Sequence, residues 1–131
     1  MHRLRVRYGE CDPQGIVFNA NYFAYFDIVI TELWRDVLGG YLSMTDRGID
    51  IVVGAASANF FAPARFDDEL AVELVVENLG TTSMTTRIAI RRGEDLCVEG
   101  EMRHVFVDLS TMQKIPIPED IRAGLSAHAA A

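Results

Sequence analysis

The chain has 131 residues, half of them hydrophobic, with 12 Lys and Arg against 19 Asp and Glu and a formal net charge of −7. That length suits one domain with a proper core, and the apolar fraction excludes a disordered chain. The acidic balance excludes a general nucleic-acid binder, so an anionic ligand needs a local basic site.

No apolar run is long enough to span a membrane, and Met1-His2-Arg3 opens no signal-peptide pattern, so a cytoplasmic place with no membrane insertion is expected. Cys11 and Cys97 have neither metal nor redox spacing and read as free thiols; no metal site is expected.

In chain order, residues 2–8 alternate, with Leu4, Val6 and Tyr8 on one side and Arg3, Arg5 and Arg7 on the other, which predicts a strand with one wet face. Asp12-Pro13-Gln14-Gly15 reads as a turn: the proline keeps Asp12 out of the helical region, and the glycine takes a positive φ at little cost. Ile16-Val17-Phe18 leads into Asn19-Ala20-Asn21, where either asparagine can cap a helix. That helix is predicted over residues 20–38, roughly 28 Å at 1.5 Å per residue. Its polar residues, Asp27, Thr31, Glu32, Arg35 and Asp36, form a narrow stripe, so the rest of its surface needs a core or a partner subunit. Gly39-Gly40 stop it.

Residues 41–48 read as a connection. Residues 49–61 predict a long strand, whose run Gly54-Ala55-Ala56-Ser57-Ala58 lets the helix come close. A turn over residues 62–69 precedes three alternating strands over residues 70–77, 84–91 and 96–108. On the last, Val98, Met102, His104 and Phe106 share one face, opposite Glu99, Glu101 and Arg103; His104 reads as a packed histidine. Residues 119–126 predict a short helix. A strand, a long helix and four strands at meander spacing make an α+β domain: a curved antiparallel sheet of about five strands wrapped around one helix. The domain spans residues 1–126, with a flexible C-terminal tail over 127–131.

One stretch carries chemistry. The Asp12 carboxylate lies a few residues upstream of a helix N-terminus, which offers unpaired N–H groups and a partial positive charge. A carboxylate facing such a terminus suits acyl chemistry: one group attacks or positions water, the other stabilises the oxyanion. The alternative is that Asp12 only caps its turn.

The topology, together with Tyr8, Asp12, Gly15, Ile16-Val17-Phe18 and Asn21-Tyr22, resembles the hotdog-fold thioesterases, most of all the 4-hydroxybenzoyl-CoA thioesterase group with its Tol–Pal-associated acyl-CoA thioesterases. A second, weaker match is Phe60…Pro63-Ala64…Asp67-Asp68-Glu69-Leu70. The resemblance implies an acyl thioester hydrolase that acts on an acyl-CoA or acyl-carrier-protein thioester, with coenzyme A as part of the substrate and no other cofactor. Asp12 would be its catalytic carboxylate, as nucleophile or as general base, and the backbone N–H of Asn19 would polarise the thioester carbonyl. Tyr8, Gly15, Ile16, Val17, Phe18 and Tyr22 would shape the substrate pocket. Relatives often carry His or Tyr where this chain has Asn19. They also carry a basic, coenzyme-binding cluster where this chain has the uncharged Gly80-Thr81-Thr82-Ser83. Thr81, Thr82, Ser83 and Arg65 are therefore the candidate coenzyme contacts, and the carrier stays open between coenzyme A and a carrier protein. The family implies a homodimer or homotetramer with active sites at the interface. The competing reading is a non-hydrolytic acyl-binding or regulatory hotdog protein. A dehydratase would need a histidine on the central helix, which this chain lacks.

Overall fold

The computed structural model describes residues 1–129. Apolar side chains on helix α1 (Asn21–Leu38) organise it: Tyr22, Tyr25, Phe26, Val29, Ile30, Leu33 and Trp34 are all buried. Steps of three and four place them on one broad face. Each such burial contributes about 1.5–3 kcal/mol against an exposed side chain. The helix stops where Gly39 takes a φ of 79°, with the N–H groups of Gly39 and Gly40 returned to the carbonyls of Arg35 and Trp34. Only glycine takes that left-handed geometry cheaply.

The face of α1 lies on a five-stranded antiparallel sheet of order β1-β3-β4-β5-β2, built from β1 (His2–Arg5), β2 (Ile49–Phe60), β3 (Glu69–Leu79), β4 (Ser83–Arg92) and β5 (Asp95–Asp108). The inward residues of β5, Val98, Gly100, Met102, His104 and Phe106, are buried in strict alternation. Short helices α2 (Tyr41–Asp46) and α3 (Glu119–Ser126) close the ends. The curved sheet around one helix is the architecture expected from the pattern of alternation.

Four details differ from the sequence reading. β1 ends at Arg5: Val6 still exchanges backbone bonds with the segment before β3, through Asp68 O and Asp67 N–H, and the chain then coils into a 3₁₀ turn over Tyr8–Glu10. Tyr8 is consequently 80% exposed and not on the inner face with Leu4 and Val6. The small residues Gly54, Ala55, Ala56 and Ser57 do not receive the helix either. They are exposed, because β2 is the last strand of the sheet, and a Cβ on Gly54 would meet Val105 and Arg103. Close approach occurs at Gly100, where a Cβ would come 2.5 Å from Phe26 Cε2. The expected connection after Gly40 contains α2, six residues long with Met44 as its one buried side chain, too short for a legible period. In the segment read as a tail, His128 O accepts the N–H of Val76 at 2.9 Å, while Ala130 and Ala131 lie outside the described residues.

His104 is packed, as read, and burial pushes its pKa down against a smaller upward pull from Asp27. An unfolded histidine titrates near 6.5, whereas the buried one stays neutral to lower pH, so the unfolded chain binds the extra proton. Its contribution to stability is full above that value and declines as the pH falls below it. Thermal melts from about pH 7.5 to about pH 5 should therefore show a steeper fall in Tm for the wild type than for His104→Gln. Equal slopes would exclude the effect.

Candidate active site

The loop after the 3₁₀ turn is a tight antiparallel return. Cys11 bridges Val17, and the Phe18 N–H reaches Glu10 O at 3.0 Å. Between them, Gly15 N–H donates to Asp12 O and Asp12 N–H to Ile16 O, both at 2.9 Å, with Gly15 at φ 79°. This is a type I-like turn closed by a left-handed glycine, the device expected of Asp-Pro-Gln-Gly.

The turn aims the Asp12 side chain. Its Oδ1 accepts the Gln14 N–H at 2.8 Å, while Oδ2 takes no hydrogen bond from any described residue. One oxygen is thus an anchor and the other is available. The half-buried carboxylate opens into a crevice of about 360 Å³ formed with Tyr8, Cys11, Pro13, Gly15 and Phe66. The rings of Tyr8 and Phe66 meet edge-to-face at 5.7 Å across it. Burial raises the Cys11 thiol pKa, with Glu10 and Asp12 adding to the rise, so this neighbour is held as a neutral thiol.

The N-terminus of α1 is the second component. Neither asparagine caps it by its side chain: Ala20 occupies the cap position, and Asn21 Nδ2 donates instead to Glu10 O at 2.7 Å. That bond ties the helix start to the 3₁₀ turn that precedes the Asp12 loop. The N–H groups of Asn21, Tyr22 and Phe23 are taken by Phe18, Asn19 and Ala20 carbonyls. Those of Asn19 and Ala20 donate to no described residue, at the positive end of an 18-residue helix. Asn19 lines a second crevice of about 200 Å³ with Ile16, Val17, Tyr22 and residues 60–63.

The loop thus divides the predicted residues. Tyr8, Asp12 and Gly15 share one crevice; Ile16, Val17, Asn19 and Tyr22 share another, with no lining residue in common. Phe18 is exposed and lines neither. The Tyr22 hydroxyl is taken up in the interior, accepting the Ala64 N–H at 3.2 Å. Arg65 is exposed and bridges Ile16 through the backbone, which places it beside the Asp12 loop. Thr81, Thr82 and Ser83 are not brought to this end of the chain. They follow Leu79, the far end of β3, whereas Glu69 at its near end pairs with Arg5. Eleven strand residues separate the two ends, roughly 35 Å. Phe66, not among the residues expected at the site, sits directly after Arg65 in the turn that carries the weaker motif; an aromatic side chain beside Arg65, Asp67 and Asp68 is the signal the sequence offers.

Residues 6–125 match the model of the thioesterase-like superfamily. The chain belongs to that superfamily. Curated relatives of this superfamily member include a putative esterase of Aquifex aeolicus strain VF5, 29% identical over 116 residues that cover 88% of this chain and 91% of the relative. The acyl-CoA thioester hydrolase YbgC of Escherichia coli O6:H1 is 28% identical over 121 residues, 92% and 90% of the two chains. Among solved structures, a hypothetical protein from Thermus thermophilus superposes with a TM-score of 0.90 at 29% identity over 97% of both chains. The superfamily member has the hotdog fold, and both motifs found in its sequence lie within the matched span.

Proposed function

We propose that the protein hydrolyses an acyl thioester, with Asp12 as the catalytic carboxylate and the free N–H groups of Asn19 and Ala20 as oxyanion donors. The observation that carries this reading is the unpartnered Asp12 Oδ2 in an open crevice, on the loop that leads into the unsatisfied start of α1. Either Oδ2 attacks the thioester carbonyl, expelling the thiolate and leaving a mixed anhydride for water to cleave, or it removes a proton from the attacking water. In both routes negative charge grows on the carbonyl oxygen, where fixed amide donors are worth most. Asn19 then acts through its backbone, which tolerates asparagine at that position.

The acyl-CoA substrate named for the Escherichia coli relative supports coenzyme A as the carrier. Two features support a homodimer that completes the site. The crevices of Asp12 and Asn19 are separate within one chain, and β2, twelve residues long, has no strand on its outer side among the described residues. Phe60 and Phe61, at the end of that strand and beside Asn19, are 46% and 61% exposed. No helix among the described residues is long and apolar enough to cross a membrane.

The test is thiol release from a panel of coenzyme A and carrier-protein thioesters with short, medium, long and aromatic acyl groups. Turnover of at least one is expected. Tight binding without release across the panel would replace hydrolysis by an acyl-binding role.

A further inference from the structure

A further recess among the described residues lies outside the two crevices above. It is a groove of about 660 Å³ between the free edge of β1 and helix α1, walled by Arg3, Arg5, Arg7, Tyr25 and Phe66. Its volume lies within the range of about 300–1,000 Å³ typical of small-molecule sites. Phe66 is also a wall of the Asp12 crevice, so the two recesses are neighbours separated by one aromatic side chain.

The charges in the groove are unequal. Arg3 and Arg5 are held by Glu69, and Arg5 also by Asp67, at 3.1 to 3.8 Å. The Glu10 carboxylate turns inward, its Oε1 accepting the Tyr25 hydroxyl at 2.9 Å and the Arg7 N–H at 2.7 Å. The Tyr25 pKa is pushed up by burial and by Glu10. The Arg7 guanidinium has no carboxylate within 4.0 Å among the described residues. In a chain of net charge −7, an exposed arginine that lines this groove without an acidic partner offers a local cation to an anionic ligand.

We propose that this groove holds the phosphate-bearing nucleotide end of coenzyme A, with Arg7 as its principal anion contact. The inference rests on the thioester reading of Asp12. The thioester lies in the Asp12 crevice, the pantetheine arm passes Phe66, and the phosphates meet Arg7. A groove of this volume has room for a nucleotide. It also supplies, at the Asp12 end of the chain, the cation missing from the Gly80-Thr81-Thr82-Ser83 turn.

The experiment titrates coenzyme A and pantetheine calorimetrically into wild type, Arg7→Glu and, as a charge control, Arg35→Glu, which lies on α1 outside the groove. Arg7→Glu is expected to weaken coenzyme A by about tenfold or more, the scale of one charge-assisted hydrogen bond. Pantetheine binding should be unchanged and Arg35→Glu should resemble the wild type. In turnover, KM for acyl-CoA should rise by about the same factor with kcat near the wild-type value, and neither should move for acyl-pantetheine. Equal coenzyme A affinity in wild type and Arg7→Glu overturns the proposal. So does an equal loss in Arg35→Glu, or hydrolysis confined to carrier-protein thioesters with no coenzyme A binding. The binding arm needs no turnover: coenzyme A bound through Arg7 by a protein that hydrolyses nothing sinks the hydrolytic reading and leaves the groove assignment standing.

Discussion

Asp12→Asn should lower kcat on the best thioester by about 10²–10⁴-fold, the usual range for a positioned acid–base group. The substitution is sharper than a deletion because of how the two carboxylate oxygens are used. Oδ1 holds the Gln14 N–H, a bond that an asparagine oxygen reproduces, while the free Oδ2 becomes an amide nitrogen that neither attacks nor removes a proton. Asp12→Asn should thus melt like the wild type. Asp12→Ala should lose the same activity and in addition about 1 kcal/mol of stability from the missing turn bond. Stopped-flow or steady-state thiol release, read beside thermal melts of both variants, checks the pair. Wild-type kcat in Asp12→Asn would remove the carboxylate from the mechanism.

Gly100→Ala is the largest stability effect expected from a single methyl group. Gly100 sits mid-sheet, opposite Ala58 on β2 and Ile88 on β4, and Phe26 of α1 rests directly on it. The added Cβ cannot be absorbed by a surface side chain, since Phe26 is fully buried and itself braced edge-to-face against Phe23 at 5.5 Å. Overpacking of this kind costs about 1–3 kcal/mol. Phe26→Leu alone should also destabilise, by opening a void. The double variant should recover part of the loss, because the methyl then occupies space the ring vacated. Denaturant midpoints of the four proteins measure the coupling; strictly additive losses would show that Gly100 does not seat the ring.

The fold was legible because its two periods are uninterrupted. Tyr22 through Trp34 repeat at helical spacing, and residues 96–108 alternate for the whole length of β5, so the inner face was assigned residue by residue. What alternation cannot encode is position within the sheet. The run 54–58 is small in any setting, and only the pairing of β2 with β5 alone shows that it faces outward instead of receiving the helix. The same limit applies to the site. Asp12-Pro13-Gln14-Gly15 carries its own turn chemistry, and the structure forms that turn. The membership of each crevice also depends on the long-range bridge Ile16–Arg65, which brings the turn of Phe66 to the Asp12 loop and which local sequence does not specify. The expectation for Thr81, Thr82 and Ser83 comes from correspondence with relatives, and their spacing carries no sign that the length of β3 separates them from the Asp12 end of the same chain. Arg7 was visible only as one of three alternating arginines; the difference lies in Glu69 and Asp67, which neutralise the other two.

The two borders of the sheet are unequal, four residues on β1 and twelve on β2. In the proposed pair, joining β2 to its own copy about a twofold axis consumes both long borders at once. What remains outward is a stub at each end, too brief to template another copy. Assembly along the strands is then self-limiting: growth halts at two chains, and a molecule with an open twelve-residue border avoids becoming a filament by spending that border on itself.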